Sequence, residues 1–141
     1  MTDNALNISQ LGQLLNEVFA PMIQDLNIEP RKITKTGTVF TVPKNDHIVR
    51  GGEIICGQAV ASVADTVGVL ALYGHNSPPR EMTTVDMTTH FMRPLKFGAL
   101  NVEATIISNG RRMATVRVDI RQAEAEKIAA TTTCAYAYLA V

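Results

Sequence analysis

Residues 57–74 read GQAVASVADTVGVLALYG, and this stretch decides the fold. Small and aliphatic side chains surround nearly the whole circumference of the helix that these residues would form. Such a distribution is typical of a buried central helix rather than one lying on a surface. Gly74 and the Pro78-Pro79 pair follow and predict where the helix ends. Other elements must therefore enclose it.

Strand patterns follow this helix. Runs rich in β-branched residues predict four antiparallel strands over residues 82–92, 100–108, 112–122 and 128–139. Asn109-Gly110 separates two of these runs and predicts a hairpin with a type I′ turn. Residues 123–127 predict a second, looser turn. The expected fold is α+β, with a curved antiparallel sheet wrapped around the helix.

Two further elements precede the central helix. Residues 9–26 repeat apolar side chains at helical spacing and predict one amphipathic helix, capped by Ser9 and bent or shortened at Pro21. Residues 31–42 alternate and predict a single strand. A polar loop follows from Pro43. No linker interrupts the pattern, so residues 1–141 are expected to form one domain.

Composition excludes several classes of protein. Of the 141 residues 46% are hydrophobic, and 13 basic residues balance 13 acidic ones to a net charge of +0, which argues against a nucleic-acid partner. The start of the chain lacks a signal-peptide pattern, and the longest apolar stretch is too short and too polar for a membrane span. Cys56 and Cys134 stand far apart and are expected to be reduced thiols. We therefore expect a soluble, cytoplasmic protein.

A carboxylate interrupts the apolar helix. Asp65 is costly to bury without a partner, and its position needs an explanation. Gln58, Ser62, Asp65 and Thr66 follow i, i+4, i+7 and i+8 and share one narrow face, which predicts a polar crevice where Gln58 and Ser62 would contact a substrate. Asp65 could act there as a general base or a nucleophile, or it could be a structural residue hydrogen-bonded to its surroundings.

The start of the same helix is a second candidate. The free amides at a helix N-terminus suit an oxyanion or a thioester carbonyl, and Gly57 would let a substrate approach the backbone. Cys56 could be a nucleophile with His47 as its base, although a buried filler is the plainer interpretation. No pair of histidines has metal-ligand spacing, so we expect no metal.

Arginines mark several turns. Arg111 and Arg112 follow the Asn109-Gly110 turn, Arg93 precedes a proline and Arg50 precedes Gly51-Gly52. Such cations could hold the phosphates of a nucleotide-bearing carrier, and the alternative is a solvated surface. No phosphate-binding glycine loop of known spacing is present.

Several short motifs together resemble the hotdog-fold acyl-CoA thioesterases, in particular the phenylacetyl-CoA thioesterase-like group. The resemblance covers about residues 30–140. It is carried by Gly57 and Asp65 at the family's spacing, Thr84-Val85-Asp86-Met87, Phe91-Met92-Arg93-Pro94 and Asn109-Gly110-Arg111-Arg112. It implies a sheet curled around the helix, homodimers or homotetramers, and active sites built across the dimer interface. It also implies no separate cofactor, because CoA is part of the substrate.

The resemblance further implies roles for individual residues. Asp65 would be the nucleophile or general base, the Gly57 amide would polarise the thioester carbonyl, and Thr84 would position the attacking water. The chain departs from the family where His-Gly-Gly is replaced by Cys56-Gly57-Gln58 and where a common Asn is Arg50. A sister pattern, Arg-x-Gly-Gly, fits Arg50-Gly51-Gly52 better.

Two functions remain open on this basis. The first is an acyl-CoA thioesterase, and the second is a non-catalytic protein that binds acyl-CoA or an acyl carrier, which the departures at Arg50, Cys56 and Gln58 motivate. A hotdog-type hydratase is a weaker third possibility, because no histidine lies on the helix near Asp65. The fold alone does not decide among them.

Overall fold

One antiparallel sheet encloses a long helix in the computed structural model, which describes residues 4–139. In chain order the elements are α1 (Ile8–Glu17), α2 (Pro21–Gln24), β1 (Glu29–Ile33), β2 (Gly37–Val42), a 3₁₀ turn (Asp46–Ile48), β3 (Val49–Arg50), β4 (Ile54–Ile55), α3 (Gly57–Tyr73), β5 (Met82–Phe91), β6 (Leu100–Asn109), β7 (Met113–Gln122) and β8 (Ala130–Tyr138). The predicted α+β architecture is confirmed.

The main sheet has six strands in the order β1-β2-β6-β7-β8-β5. Every neighbouring pair is antiparallel. β1 and β5 are therefore its two edges, and β5 reaches its edge position by pairing with the last strand of the chain. Strands β3 and β4 form a separate small ladder just before α3.

Helix α3 supplies the centre of the hydrophobic core. Val63, Val67 and Leu70 are fully buried against inward-facing residues of the sheet such as Phe40 and Ile120. One stripe of the helix stays exposed or half-exposed, and it consists of Gln58, Ala61, Ser62, Asp65, Val69 and Tyr73. The helix is thus enclosed on all sides except one. Of the helices within residues 4–139, none has the length and apolarity needed to span a membrane.

The single helix predicted for residues 9–26 is wrong. Helix α1 ends at Glu17, and α2 begins at Pro21, because proline has no backbone N–H and suits the first position of a new helix. The predicted cap is also wrong. Asn7 rather than Ser9 caps α1: its side chain accepts from the Gln10 backbone, and the Gln10 side chain accepts from the Asn7 backbone, both at 2.9 Å.

The single strand predicted for residues 31–42 is a hairpin of β1 and β2. The turn closes between Thr34, whose N–H donates to the carbonyl of Gly37 over 2.9 Å, and that glycine. A Cβ on Gly37 would lie 1.8 Å from the carbonyl oxygen of Ala104, so the close approach of β2 to β6 requires glycine there. Because β-branched residues stand on both sides of the turn, the sequence pattern does not distinguish it from a continuous strand.

The β6–β7 hairpin forms where Asn109-Gly110 predicts it, but not with a type I′ turn. That turn needs positive φ at two central residues, and neither Asn109 nor Gly110 has one. β6 ends at Asn109 and β7 begins at Met113, so the loop is longer than two residues. Its shape is set by a side-chain network instead.

This network is a closed ring of three hydrogen bonds. Asn76 donates to the Tyr138 hydroxyl at 2.8 Å, that hydroxyl donates to Asn109 at 2.6 Å, and Asn109 donates back to Asn76 at 2.8 Å. Arg80 covers the Tyr138 ring at 3.5 Å from its centroid and donates to the Gly110 carbonyl over 3.1 Å. The hairpin tip is thereby fixed to the segment that follows α3.

Removing the Tyr138 hydroxyl tests this network. Tyr138→Phe leaves one donor of the buried Asn76 and one acceptor site of Asn109 without a partner, and we expect the free energy of unfolding to fall by about 1–3 kcal/mol, mainly because of the buried Asn76 donor. Chemical denaturation measures it. Tyr73→Phe is the matched control, because the Tyr73 hydroxyl makes no hydrogen bond within residues 4–139, and it should change stability little. Equal losses in the two variants would contradict the role of the ring.

Candidate active site

Asp65 lies on the accessible stripe of α3, half-buried beside β5. The Thr84 hydroxyl donates to its Oδ1 at 2.7 Å. Within residues 4–139, no hydrogen bond reaches Oδ2. The carboxylate therefore has a structural partner and also one oxygen available to an incoming group, so both interpretations of Asp65 have a physical basis.

A β-bulge aims Thr84 at this carboxylate. Thr84 pairs with Tyr136 of β8, and Asp86 pairs with the adjacent Ala135. Val85 therefore has no partner in β8 and is an extra residue in β5. The bulge resets the alternation of the strand, and inward-facing positions before and after it all point toward α3. The Val85 side chain is 56% exposed. Without the bulge, Thr84 and the later inward residues could not share one face.

Tyr136 ties the backbone of the Asp65 turn to the sheet. Its hydroxyl donates to the main-chain carbonyl of Asp65 at 3.0 Å. Burial, followed by the neighbouring Cys134 and Asp65, raises the pKa of Tyr136 above its usual value, so the hydroxyl stays a protonated donor. A Cβ on Gly68 would lie 2.1 Å from the Tyr136 hydroxyl oxygen. Glycine is thus required for the tyrosine to reach the helix.

Neither Tyr136 nor Gly68 was predicted from the sequence as part of the site. A glycine inside a helix costs about 1 kcal/mol relative to alanine, and it indicates a close approach by another group. Gly68 was therefore the available signal. The identity of the group that approaches it depends on strand register, which the sequence does not show.

The predicted polar crevice is only partly present. Ser62 and Thr66 turn their hydroxyls back onto the helix and donate to the carbonyls of Gln58 and Ser62 at 2.8 and 2.7 Å. Thr66 is only 4% exposed, so it belongs to the core side of the helix. Gln58, Ser62 and Asp65 lie together on the accessible stripe.

A groove opens at the start of α3. Gly57 is the first residue of the helix, and its N–H has no hydrogen-bond acceptor within residues 4–139. The groove has a volume of about 310 Å³ and brings together two of the predicted cations, Arg50 and Arg93. Its other lining residues include the exposed side chains of Phe91 and Met92. An accessible amide, apolar walls and cations thus share one place.

Arg111 and Arg112 lie elsewhere in the chain. The backbone of Arg112 accepts from Tyr138, which pairs with Met82 at the start of β5. The Gly57 groove adjoins Phe91 at the end of that strand. Ten residues of strand span roughly 30 Å, so one chain does not bring the hairpin arginines to the groove.

The cysteines differ in environment. Cys134 is fully buried, and burial, with a further contribution from Asp65, raises its pKa to about 11, so the thiol stays protonated and unreactive near neutral pH. Cys56 is half-buried directly before α3 and makes no capping hydrogen bond with its side chain. His47, its predicted base, is exposed and lies 3.9 Å from Asp46.

The other histidines have ordinary environments. The His75 ring nitrogens contact the carbonyls of Ala71 and Thr34 at 2.9 Å each, which links the end of α3 to the β1–β2 turn. His90 is exposed on β5. In the part of the chain that the structure describes, no three His, Cys, Asp or Glu side chains gather as metal ligands, and a site without metal stays a prediction.

Known structures share this architecture. The thioesterase HI1161 from Haemophilus influenzae superposes with a TM-score of 0.85 over 98% of this chain and 94% of its own, at 20% identity. A phenylacetic acid degradation-related protein from Ralstonia eutropha JMP134 gives a TM-score of 0.77 over 93% and 99%, at 18% identity. The fold is therefore the hotdog fold, as the resemblance implies.

Sequence relatives define the class. A protein from Thermoplasma acidophilum named "Putative esterase Ta0293" is 26% identical over 109 residues, which are 76% of this chain and 82% of that protein. The family model of the thioesterase superfamily matches residues 53–129, more than half of the chain. The chain belongs to the thioesterase superfamily. Thioester hydrolysis is the class of reaction that this membership supports.

Gly68→Ala tests the contact beneath the site. The added methyl group collides with the Tyr136 hydroxyl, and we expect the free energy of unfolding to fall by about 1–3 kcal/mol. Because that hydroxyl is the nearest atom, Gly68→Ala combined with Tyr136→Phe should lose less stability than the sum of the two single variants. Gly12→Ala is the control, since a methyl group added there in α1 would have nothing within 4 Å, and it should stabilise. Strict additivity would contradict the contact.

Proposed function

We propose that the protein hydrolyses an acyl-CoA thioester to the free acid and CoA. The observation that carries this proposal is the Asp65 carboxylate. Thr84 donates to one of its oxygens at 2.7 Å, the other oxygen accepts no hydrogen bond within residues 4–139, and most of the surrounding helix is apolar. A positioned carboxylate in such surroundings is suited to accept a proton or to attack an acyl carbon.

Two routes are consistent with this carboxylate. As a general base, Asp65 takes a proton from water while the water oxygen bonds to the acyl carbon. The tetrahedral intermediate then expels the CoA sulfur, and Asp65 returns the proton to it. As a nucleophile, Asp65 bonds to the acyl carbon and expels the CoA thiolate, and water hydrolyses the resulting anhydride. Thr84 acts in both as a positioning residue for Asp65, and the resemblance adds a contact to the attacking water.

Gly57 is the proposed donor to the thioester oxygen. Its N–H is free of backbone acceptors in the described residues, and it lies at the positive end of the 17-residue helix α3. Negative charge develops on the carbonyl oxygen during attack, and a fixed amide donor stabilises it. Gly57 borders the groove in which an acyl group could lie.

Gly57 and Asp65 of one chain cannot serve the same thioester. They are eight positions apart on α3, which is about 12 Å along the helix axis. The group that donates to the carbonyl oxygen and the group that acts at the carbonyl carbon must both lie within about 3 Å of the same carbonyl. We therefore propose that Asp65 acts together with Gly57 of the partner subunit in a homodimer.

The β5 edge supports such a dimer. β5 lies at the edge of the sheet, next to the accessible stripe of α3, and carries the exposed apolar side chains of Val85 and Phe91. Antiparallel pairing of β5 with its copy would set the Thr84 end of one strand near the Phe91 end of the other. Asp65 adjoins Thr84 and Gly57 adjoins Phe91, so this symmetry joins the two halves.

The same symmetry gives the arginines a common place. Arg50 and Arg93 line the groove of one chain. Arg111 and Arg112 of the partner subunit would approach it, because their hairpin adjoins the start of β5. Gln58 and Ser62 lie on the shared stripe. We further propose that the protein acts in the cytoplasm, and that pairing into tetramers follows the resemblance.

Asp65→Asn tests the carboxylate. The amide cannot accept the proton or form the anhydride, so we expect kcat to fall roughly a hundredfold or more, with fold and oligomeric state retained. Thiol release from short, medium, long, phenylacetyl and hydroxybenzoyl CoA thioesters, followed with a disulfide dye, measures it.

Asp25→Asn is the control for charge, since Asp25 is exposed at the C-terminal end of α2 and is not part of the proposed site. Near-wild-type turnover in Asp65→Asn would contradict its assigned role. A wild-type protein that binds these thioesters tightly but hydrolyses none would instead be the non-catalytic binding protein that the departures at Arg50, Cys56 and Gln58 motivate.

Gly57→Pro removes the proposed amide donor with little change to the helix. Proline suits the first helical position, and Cys56, with φ −66° and ψ 147°, already has the conformation required before proline. We expect kcat to fall about 10²–10³-fold. Gly57→Ala keeps the N–H, and its methyl group makes only an ordinary contact, 3.6 Å from Phe91, so it should lose much less.

A mixed dimer then tests the two-subunit site. One subunit carries Asp65→Asn and the other Gly57→Pro, each with its own affinity tag. One of the two sites keeps both groups, so the mixed dimer should recover about half of the wild-type turnover. A site within one chain would leave both sites defective, and turnover no higher than in either parent variant would contradict the proposal.

A further inference from the structure

A basic depression adjoins the Gly57 groove on the outside of the molecule. It has a volume of about 520 Å³ and lies between the segment after β5 and the β7–β8 turn. Its lining residues are Arg93, Pro94, Lys96, Gln122, Ala125, Glu126, Lys127 and Ala129. Arg93 and Pro94 also line the Gly57 groove, so the two spaces meet there.

The walls of this depression are held in place by hydrogen bonds. The side chain of Gln122 accepts from the Lys96 N–H at 2.9 Å and donates to the Lys96 carbonyl at 2.8 Å. The Arg93 guanidinium donates to the Ile128 carbonyl at 2.6 Å, and the Arg93 N–H donates to the Ala129 carbonyl at 3.0 Å. A ligand would thus meet a preformed backbone, which lowers the entropic cost of binding.

The charge of the depression is positive in a protein whose net charge is +0. Arg93, Lys96 and Lys127 are exposed, and Glu126 is the opposing carboxylate. No ion pair within residues 4–139 engages any of these four groups. Arg93 uses one guanidinium nitrogen on a carbonyl, which leaves further N–H donors for an anion.

We propose that this basic depression binds the phosphates at the nucleotide end of coenzyme A, with Lys96 and Lys127 as its specific contacts. The identity of the ligand rests on the proposed function. With the thioester carbonyl at Gly57, the pantetheine arm would leave the groove past Arg93 and Pro94. Neither lysine belongs to the motifs through which the chain resembles its family.

Calorimetric binding of CoA and of pantetheine, which lacks the phosphates, provides a test independent of turnover. In Lys96→Ala combined with Lys127→Ala, the Kd for CoA should rise roughly tenfold at low salt, and the difference should shrink as salt screens it. The Kd for pantetheine should not change. In kinetics, KM should rise for the CoA thioester but not for the N-acetylcysteamine thioester of the same acid, with kcat unchanged.

Lys32→Ala combined with Lys35→Ala is the matched control. It removes the same charge from the exposed β1–β2 hairpin and should leave all these constants unchanged. Arg111→Ala combined with Arg112→Ala tests the rival location on the hairpin of the partner subunit.

The results separate the two proposals. Unchanged CoA binding in the lysine variant, an equal loss for pantetheine, or an effect confined to the arginine variant would overturn the inference. A selective loss of CoA affinity in a protein that hydrolyses no thioester would support the phosphate site and overturn the proposed hydrolysis.

Discussion

Enclosure of α3 is the constraint on which the rest of the structure depends. The helix is apolar on nearly every side, and exposing Val63, Val67 and Leu70 to water would cost several kcal/mol. A six-stranded sheet can curl around it, yet the sheet keeps two edges. At the β5 edge the wrapping stops short, and the stripe that carries Asp65 remains accessible. The candidate site lies where the enclosure ends.

The hydrogen bonds around Asp65 explain how a carboxylate is tolerated there. Tyr136 contacts the main chain of this turn, and Thr84 contacts the side chain. Each depends on a local irregularity: Gly68 removes a methyl group from the path of the tyrosine, and the bulge at Val85 turns the threonine inward. The glycine weakens the helix slightly and the bulge interrupts the strand, and both allow contacts that position Asp65.

The sequence predicted the elements whose signal is local. The small and aliphatic residues around nearly the whole circumference of residues 57–74 predicted the central helix, and Gly57 and Asp65 could be singled out from their places on it. The prediction of one strand over residues 31–42 was wrong because a turn between two runs of β-branched residues has no distinct composition. The prediction of a type I′ turn was wrong because hydrogen bonds between side chains, such as that from Asn109 to Asn76, determine the loop. Tyr136 and the bulge depend on the register between distant strands, which a single sequence does not encode in any short pattern.

The distance between Gly57 and Asp65 along α3 connects folding with the proposed function. Within one chain, Gly57 lies at the N-terminus of α3, and Asp65 accepts a hydrogen bond from Thr84. About 12 Å along the helix axis separates these two candidate groups. In the proposed dimer, folding of each subunit would prepare two half-sites, and association of the subunits would complete them. The exposed apolar side chains of Val85 and Phe91 on the β5 edge would be a liability in a lone subunit. In a dimer the same edge would hide them and bring the half-sites together, so stability and catalysis would depend on one interface.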